Sequence, residues 1–369
     1  MNSKIISVIG SVGVPANYGG FETLVENLAI FHHNQALPQR LVIYCSKASY
    51  QEFPDTFLSS ELCYLPLNAN GAQSILYDIA SLLSAAYRRS DKILILGVSG
   101  AIALPLIRLT SSAKITINID GIEWRREKWR GLAKWFLRFS EMMAVRFSHS
   151  VISDNEAISD YVNKTYGVRA EVIAYGGEHA VSVEAIDVDV VGLPSNYSLS
   201  ICRIEPENNV HLILEAFSSL DSSNLIFVGN WNNSEYGRSL RQSFSEKKNI
   251  FLLDPIYNTS KLKALRQNAK CYLHGHSAGG TNPSLVEAMH FGKPVIAFDC
   301  AFNRFTTENK ALYFSDSKEL SSLLKLSDEG EFHQCGINMI EIASRRYTWN
   351  SIARQYFCLL GAISHCGDI

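Results

Sequence analysis

The sequence lacks any apolar run approaching the roughly 18–20 residues needed to cross a bilayer. Its first ten residues, MNSKIISVIG, lack the long hydrophobic region and small-residue cleavage site of a signal peptide. No CxxC or other paired spacing occurs among its eight cysteines (Cys45, Cys63, Cys202, Cys271, Cys300, Cys335, Cys358, Cys366). Most of them fall inside apolar segments, where free cysteine behaves as a small buried hydrophobe. A disulfide framework and a zinc site are therefore disfavoured, and a cytosolic setting is expected. There is no charge excess either: 34 Lys and Arg face 36 Asp and Glu, for a net charge of −2. That excludes a globally basic nucleic-acid binder, although not a local basic patch. Internal repeats and low-complexity stretches are absent. What is present is a globular composition, 47% hydrophobic and 19% charged, which excludes a disordered chain. At about 100–200 residues per domain, 369 residues give two domains with a core each.

Short β-branched runs alternate with helix-length segments through the first half. Lys4–Gly10, Leu41–Ser46, Leu62–Leu67, Lys92–Val98, Lys114–Asp120, His149–Asp154 and Ala170–Gly176 read as strands. Ala72–Arg89, Gly131–Ser148 and Asn155–Tyr166 read as helices between them. Runs such as ILILGV are continuously apolar, as in parallel strands buried on both faces. Glu178–Tyr197 has no clear period and reads as a linker. The rhythm then restarts, with strands at Tyr197–Arg203, Leu225–Asn230, Asn249–Asp254, Cys271–Ser277 and Pro294–Asp299. Helices at Val210–Leu220, Glu235–Glu246, Asn258–Gln267 and Asn282–Phe291 fall between these. The expected architecture is α/β, with two Rossmann-like doubly wound domains facing across a cleft. Residues 1–180 form the first domain, 181–346 the second, and 347–369 a closing helix opened by Thr348 that crosses back to the first.

Five stretches could carry chemistry. The first strand runs into Gly10-Ser-Val-Gly13 and then Gly19-Gly20-Phe-Glu22 ahead of a helix. Such a turn either cradles a phosphate or is a bare tight turn, and it is not the GxGxxG dinucleotide fingerprint. Asp120-Gly121 closes the fifth strand. A carboxylate there serves as a general base or acceptor-hydroxyl clamp, or simply makes an Asp-Gly turn. From Trp124 to Arg146, seven basic residues (Arg125, Arg126, Lys128, Arg130, Lys134, Arg138, Arg146) face two glutamates and interleave with Trp124, Trp129, Trp135, Phe136 and Phe139. That composition suits a helix on an anionic membrane surface; a nucleic-acid patch or an ordinary amphipathic helix with core aromatics would look similar. Arg203 follows the first strand of the second half, in RIEPENN, where a cation suits a diphosphate unless it is only a surface arginine. The last stretch runs from His274 and His276 through Gly279, Gly280, Thr281, Asn282 and Pro283 to Glu287. Glycines permit close backbone approach, Asn282 or Thr281 caps a helix, and Glu287 could accept hydrogen bonds from ribose hydroxyls. The two histidines lack the Cys or carboxylate neighbours of a metal site.

Taken together, these segments resemble a GT-B glycosyltransferase of the family 4 type over nearly the whole chain. The resemblance rests on Arg203–Phe217, Asn249–Ala269, PSLVEAM with GKPVIA after it, and YTWNSIARQY. PANYGGFETLVENLA, NIDGIEWRREKW, SDNEAISDYV, AYGGEH, RIEPENN and GHSAGGTNPSLVEAM are similar to a bacterial polysaccharide subgroup that includes β-1,4-rhamnosyltransferases. The resemblance implies that Arg203 holds a donor diphosphate, that Glu287 binds the nucleotide ribose, and that Gly279, Gly280, Thr281 and Asn282 frame the donor sugar. Gly19 and Gly20 would close over the phosphates. Three positions depart from the common family pattern: Gly279 stands where a donor-sugar Glu is usual, Asn208 where a phosphate Lys is usual, and Asp120 in place of a His.

The implied reaction moves a sugar from a nucleotide diphosphate to a polyprenyl-diphosphate-linked glycan with retention of configuration. It proceeds by front-face attack, with no metal and no cofactor beyond the nucleotide sugar. Asp120 and Arg203 are the expected catalytic residues, and Asn208 joins the donor-binding set. Trp124, Arg125, Arg126, Lys128, Arg130, Lys134 and Trp135 are expected to meet the acceptor or an anionic membrane on its cytoplasmic face. No nucleic acid is expected as a partner. dTDP-rhamnose is the first donor by resemblance, with glucose, N-acetylglucosamine and mannose donors behind it. The alternatives are a catalytically inactive scaffold of a polysaccharide assembly complex and a sugar-nucleotide 2-epimerase; the missing GxGxxG argues against a nicotinamide dehydrogenase.

Overall fold

A computed structural model describes residues 3–16, 19–125, 131–186, 192–220, 222–326 and 329–363. The chain divides into two units, Met1–Ala174 with Trp349–Ile369, and Tyr175–Thr348. In the first, strands β1 (Ile5–Ile9), β2 (Arg40–Ser46), β3 (Thr56–Phe57), β4 (Ser60–Leu65), β5 (Lys92–Leu96), β6 (Lys114–Asn118), β7 (Ser150–Ser153) and β8 (Glu171–Val172) form one sheet. Its order is β3-β4-β2-β1-β5-β6-β7-β8, parallel except for the β3–β4 hairpin. In the second, β9 (Ser198–Ile201), β10 (Leu225–Val228), β11 (Ile250–Leu253), β12 (Cys271–His274), β13 (Val295–Phe298) and β14 (Leu312–Phe314) follow the order β11-β10-β9-β12-β13-β14, all parallel. Both are doubly wound: the chain starts mid-sheet, builds outward one way, then returns and builds the other way. The reversal falls between β1 and β5 in the first unit and between β9 and β12 in the second, and loops leaving such a pair leave a crevice for ligands.

The strands form because aliphatic residues fill both faces. Ile93, Leu94 and Ile95 are fully buried, as are Leu225, Ile226 and Phe227. Helices cover the sheets and connect successive parallel strands.

Several strands end earlier than the apolar runs suggest: β5 at Leu96 rather than Val98, β6 at Asn118 rather than Asp120, β12 at His274 rather than Ser277. Val98, Ile119, Gly275 and His276 beyond them are still buried, because the loops at the carboxyl edge are fastened to one another. Gly97 N–H donates to Asn118 O at 2.8 Å, and Ile119 N–H to Ile152 O at 3.0 Å. Burial without a ladder therefore extends the apolar pattern past the strand. The expected seven-residue strand at Ala170–Gly176 is reduced to β8, a two-residue edge. Four helices had no expectation (Leu104–Thr110, Ala301–Thr306, Ser317–Leu326 and Glu329–Arg346), nor did β3 or β14.

The division falls at residues 174/175 rather than 180/181, because the segment after Ala174 packs on the second unit. Gly177 N–H donates to Tyr347 O, and Lys263 Nζ donates to Val181 O and Val183 O. The stretch read as a linker thus begins with a helical turn, His179–Ser182; residues 187–191 lie outside the described residues. The closing helix, Trp349–Leu359, packs on the first unit, where Phe357 stacks on Phe31 with ring centroids 5.7 Å apart.

One buried carboxyl sits behind the β5 exit. Asp78, on the helix Ser74–Tyr87, is buried against Gly100, where a Cβ would come within 2.4 Å of its own. Burial raises its pKa to about 7, and the Gly100 amide that favours the anion offsets only part of this. A folded-state pKa above the unfolded one gives stability that is fully present below about pH 4 and lost as pH rises through about 7. Asp78→Asn should therefore stabilise the protein at pH 8 by up to about 4 kcal/mol and by less at pH 5, read by urea unfolding at both pH values.

Candidate active site

In the second unit the exits of β9 and β12 converge at the reversal point. Arg203 lies two residues beyond β9, with an exposed side chain that makes no ion pair among the described residues. The sequence reading gave Asn208 to the donor; the structure instead buries it as a brace. Its Nδ2 donates to Arg203 O at 2.7 Å, and its Oδ1 faces His276 Nδ1 at 2.6 Å. Because Nδ2 is the donor toward Arg203, Oδ1 is the acceptor, and the proton of that second bond lies on His276 Nδ1. Three more bonds tie the same loops: Asn209 Nδ2 to Gly275 O, and Ser277 N and Oγ to Glu207 O, all at 2.9 Å. Gly275 is required here, since a Cβ would lie 2.1 Å from Asn208 O. An Asn–His pair thus fixes the loop that carries the exposed Arg203.

The glycine loop follows. Gly279 has φ of +102° and its Cβ position lies 3.5 Å from His276 Nε2. Gly280 is half-buried and Thr281 is buried. Asn282 caps the short helix Pro283–Met289, its Oδ1 accepting from Ser284 N at 3.0 Å and from Ser284 Oγ at 2.9 Å. That carbonyl oxygen serves the helix end rather than a ligand.

Glu287, one turn into that helix, meets Arg266 and His179. Its Oε2 bonds the buried Arg266, and its Oε1 lies 3.3 Å from His179 Nε2. Burial alone would raise its carboxyl pKa, but Arg266, then His179, hold it below the usual glutamate value. Glu287 is therefore an anion, oriented by a partner from the helix Thr259–Asn268 and another from the turn His179–Ser182. Neither partner was anticipated, because residues 179, 266 and 287 meet only through the fold. His274 is buried at the end of β12, stacked on Tyr272, and burial with His276 beside it keeps it well below the usual histidine pKa. Among the described residues no three His, Cys, Asp or Glu side chains converge as metal ligands would.

In the first unit the glycine turn is differently occupied. The helix Gly20–Asn34 begins after Gly19, whose φ is +133°. Glu22 folds back so that its Oε1 accepts Val12 N–H at 3.1 Å and its Oε2 lies 2.0 Å from where a Gly19 Cβ would stand. A carboxylate thus sits where Gly19 and Gly20 were expected to receive a phosphate, and its charge opposes one. Gly10 serves close packing, since a Cβ there would lie 2.1 Å from Leu96 O.

Asp120 stands just past β6 in a left-handed conformation, φ +58°, which costs a non-glycine residue about 1–2 kcal/mol. It is half-buried. Its N–H donates to Asn118 Oδ1 at 2.8 Å, and Asn118 Nδ2 donates to Tyr356 Oη at 2.6 Å. The closing helix therefore fixes the backbone that presents Asp120, a connection for which the sequence offers no signal. Trp124 is surrounded by Arg125, Lys134 and Arg138, at 5.3, 5.6 and 5.4 Å from its ring. Trp135 is 66% exposed, on the helix Gly131–Phe147. Arg126, Lys128 and Arg130 lie outside the described residues.

Comparison with known proteins follows this division. Residues 3–178 match a domain of unknown function (DUF1972), and residues 187–323 match the family glycosyl transferases group 1. An O-antigen chain mannosyltransferase, RfbU, of Salmonella typhimurium (strain LT2) is 28% identical over 201 residues, covering 53% of this chain and 55% of that protein. The chain thus spans about half the length of this curated relative. Among solved structures, sucrose-phosphate synthase from Thermosynechococcus elongatus superposes with a TM-score of 0.79 at 16% identity, covering 98% of this chain and 100% of that one. Anabaena Alr3699/HepE, solved with UDP and glucose, gives 0.70 at 16% identity, with 98% and 100% covered. The fold is GT-B, built of two Rossmann-like α/β units, and the second unit carries a glycosyltransferase group 1 domain.

Tyr356→Phe removes the acceptor for Asn118 Nδ2 and leaves that buried donor unmet, at a cost of about 1–3 kcal/mol. A thermal melt of Tyr356→Phe beside the unsubstituted chain checks this loss.

Proposed function

We propose that this chain, with its glycosyltransferase group 1 domain, moves a sugar from a nucleoside diphosphate to a polyprenyl-diphosphate-linked glycan in bacterial surface polysaccharide synthesis. The observation that carries the reading is the exposed Arg203, without an ion pair among the described residues, on a loop braced by Asn208 and His276 at the point where the second sheet reverses. A diphosphate leaving group needs a cation held in place before the bond breaks. An arginine on a braced loop supplies that charge.

The donor ribose falls to Glu287, whose ionised carboxylate is the natural acceptor for two vicinal hydroxyls. Binding there replaces the His179 contact and retains the Arg266 one. Gly279 and Gly280 leave room for the sugar where a side chain would otherwise stand. With no cation at position 208 and Glu22 opposing anions at Gly19, the phosphate charge rests on Arg203 and backbone N–H groups of the second unit. Transfer proceeds with retention, as in the family 4 type, by front-face attack in which the departing diphosphate takes the acceptor proton. Asp120 orients the acceptor hydroxyl and stabilises positive charge at the sugar. The chemistry as drawn needs no metal held by the protein.

dTDP-rhamnose is the first candidate donor, from the resemblance of the site motifs. GDP-mannose is the second, from the relative that is an O-antigen mannosyltransferase. The basic aromatic stretch around Trp124 and Trp135 suits a peripheral position on the cytoplasmic face of the membrane, where a lipid-linked acceptor resides. Among the described residues no helix is long and apolar enough to cross a membrane.

The test is binding and slow hydrolysis across dTDP-rhamnose, GDP-mannose, UDP-glucose and UDP-N-acetylglucosamine. One donor should bind selectively and turn over. Arg203→Ala should lower kcat by about 10²–10³-fold, and Asp120→Asn should abolish transfer while sparing donor binding. Folded protein silent toward every donor would favour the inactive scaffold.

A further inference from the structure

The two oxygens of the Glu287 carboxylate stand in different surroundings. Oε2 is bonded by Arg266, whose side chain is 5% exposed, so that oxygen faces the interior of the second unit. Oε1 is met by His179 Nε2 at 3.3 Å, and that imidazole is 31% exposed. The outward half of the carboxylate therefore has a partner that borders solvent. Burial opposes ionisation of Glu287, but Arg266 and then His179 outweigh it. An ionised carboxylate only accepts, so the proton of this contact lies on His179 Nε2. Nε2 carries that proton in the neutral ring as well as in the charged one, and the contact does not depend on the charge of the imidazole.

The turn that carries His179 is pinned on both sides. Gly177 N–H donates to Tyr347 O at 2.9 Å, and a Cβ at Gly177 would lie 2.8 Å from Val286 Cγ1 and 2.9 Å from His290 Cδ2. Beyond the histidine, Lys263 Nζ donates to Val181 O at 2.9 Å and to Val183 O at 2.7 Å, and Ser182 Oγ donates to Glu178 O at 2.8 Å. The close approach at Gly177 seats the turn on Pro283–Met289, the same helix that presents Glu287. One backbone arrangement thus holds a donor and an acceptor side by side, an N–H and a carboxylate oxygen at the border of solvent.

We propose that His179 is a second contact for the donor ribose, its Nε2–H donating to a ribose hydroxyl whose own proton goes to Glu287 Oε1. The inference rests on the assignment of the nucleotide ribose to Glu287 and names a further residue of that same site. A hydroxyl both donates and accepts, and a carboxylate alone uses only its donating half. His179 and Glu287 together use both halves. A small rotation of the part-exposed imidazole opens the 3.3 Å contact enough for the hydroxyl oxygen to bridge it. The pair selects a hydroxyl over a phosphate oxygen, because an anion placed there would meet the Glu287 charge. A nucleotide without the hydroxyl leaves the His179–Glu287 contact as it stands and gains nothing from either residue.

The experiment is titration calorimetry of the full chain with dTDP, UDP and GDP and with their 2′,3′-dideoxy counterparts, beside a thermal melt. The nucleotide that binds should do so on the order of tenfold tighter than its dideoxy form. His179→Ala should weaken the hydroxylated nucleotide about fivefold and leave the affinity of the dideoxy form and the melting temperature unchanged. His179→Gln, whose amide N–H has a similar reach, should retain most of the affinity. Equal loss for the two forms would make His179 a brace for the turn, and tighter binding in His179→Ala would make it a competitor for Glu287; either overturns the proposal. So does a dideoxy form that binds the unsubstituted chain as tightly as its parent. Nucleotide binding that is indifferent to His179→Ala removes this contact alone, whereas a folded chain that binds none of the three nucleotides defeats the transferase reading and the contact with it.

Discussion

Two close backbone approaches, one in each unit, set the geometry on which the candidate residues of that unit depend. In each unit the first strand and the strand that reverses the winding are neighbours, and their exit loops must pass within backbone contact. Gly10 against Leu96 O meets that demand in the first unit, and Gly275 against Asn208 O in the second. A methyl group at either place would overlap a carbonyl oxygen. With those contacts made, the loops hydrogen-bond to one another rather than to water, and side chains beyond the strands acquire fixed positions. The backbone position of Arg203 is thus inherited from a glycine just beyond another strand, β12.

The loop exits of the two units are braced differently. At the β9–β12 exit the brace is an amide–imidazole pair, Asn208 with His276, and the Arg203 side chain is left outward. At the β1–β5 exit the brace is an acidic side chain, Glu22, which takes the Val12 amide. An acid folded into a loop competes for the backbone N–H groups that a phosphate would use, whereas the amide–imidazole brace leaves Arg203 exposed beside it.

Much of the fold could be read in the sequence, since continuous apolar runs alternating with helical periods specify parallel doubly wound sheets. Strand ends were less legible: Ile119 and His276 are buried by loop-to-loop bonding, and burial alone looks like strand in one dimension. Site residues on local motifs, such as Arg203 after a strand and Asn282 at a helix start, were visible where they fall. Their partners were not. Arg266 and His179 reach Glu287 across 21 and 108 positions, and Tyr356 reaches Asn118 across 238. No spacing rule connects such residues. The resemblance put Asn208 in the donor-binding set, and the bonds it makes to Arg203 O and His276, which brace the loop, carry no signal in one dimension.

The helix Gly131–Phe147 shows how far an amphipathic pattern can be trusted. Its hydrophobic stripe is real, but periodicity does not say which side faces the core. The deciding group is Glu141. With two tyrosine hydroxyls able to satisfy it, burying the carboxylate costs little beyond desolvation, whereas an ionised glutamate without donors could not be buried. Once Glu141 is inside, the geometry of the helix leaves Leu132, Trp135 and Phe139 outside. The outward aromatic face follows from one satisfied buried acid.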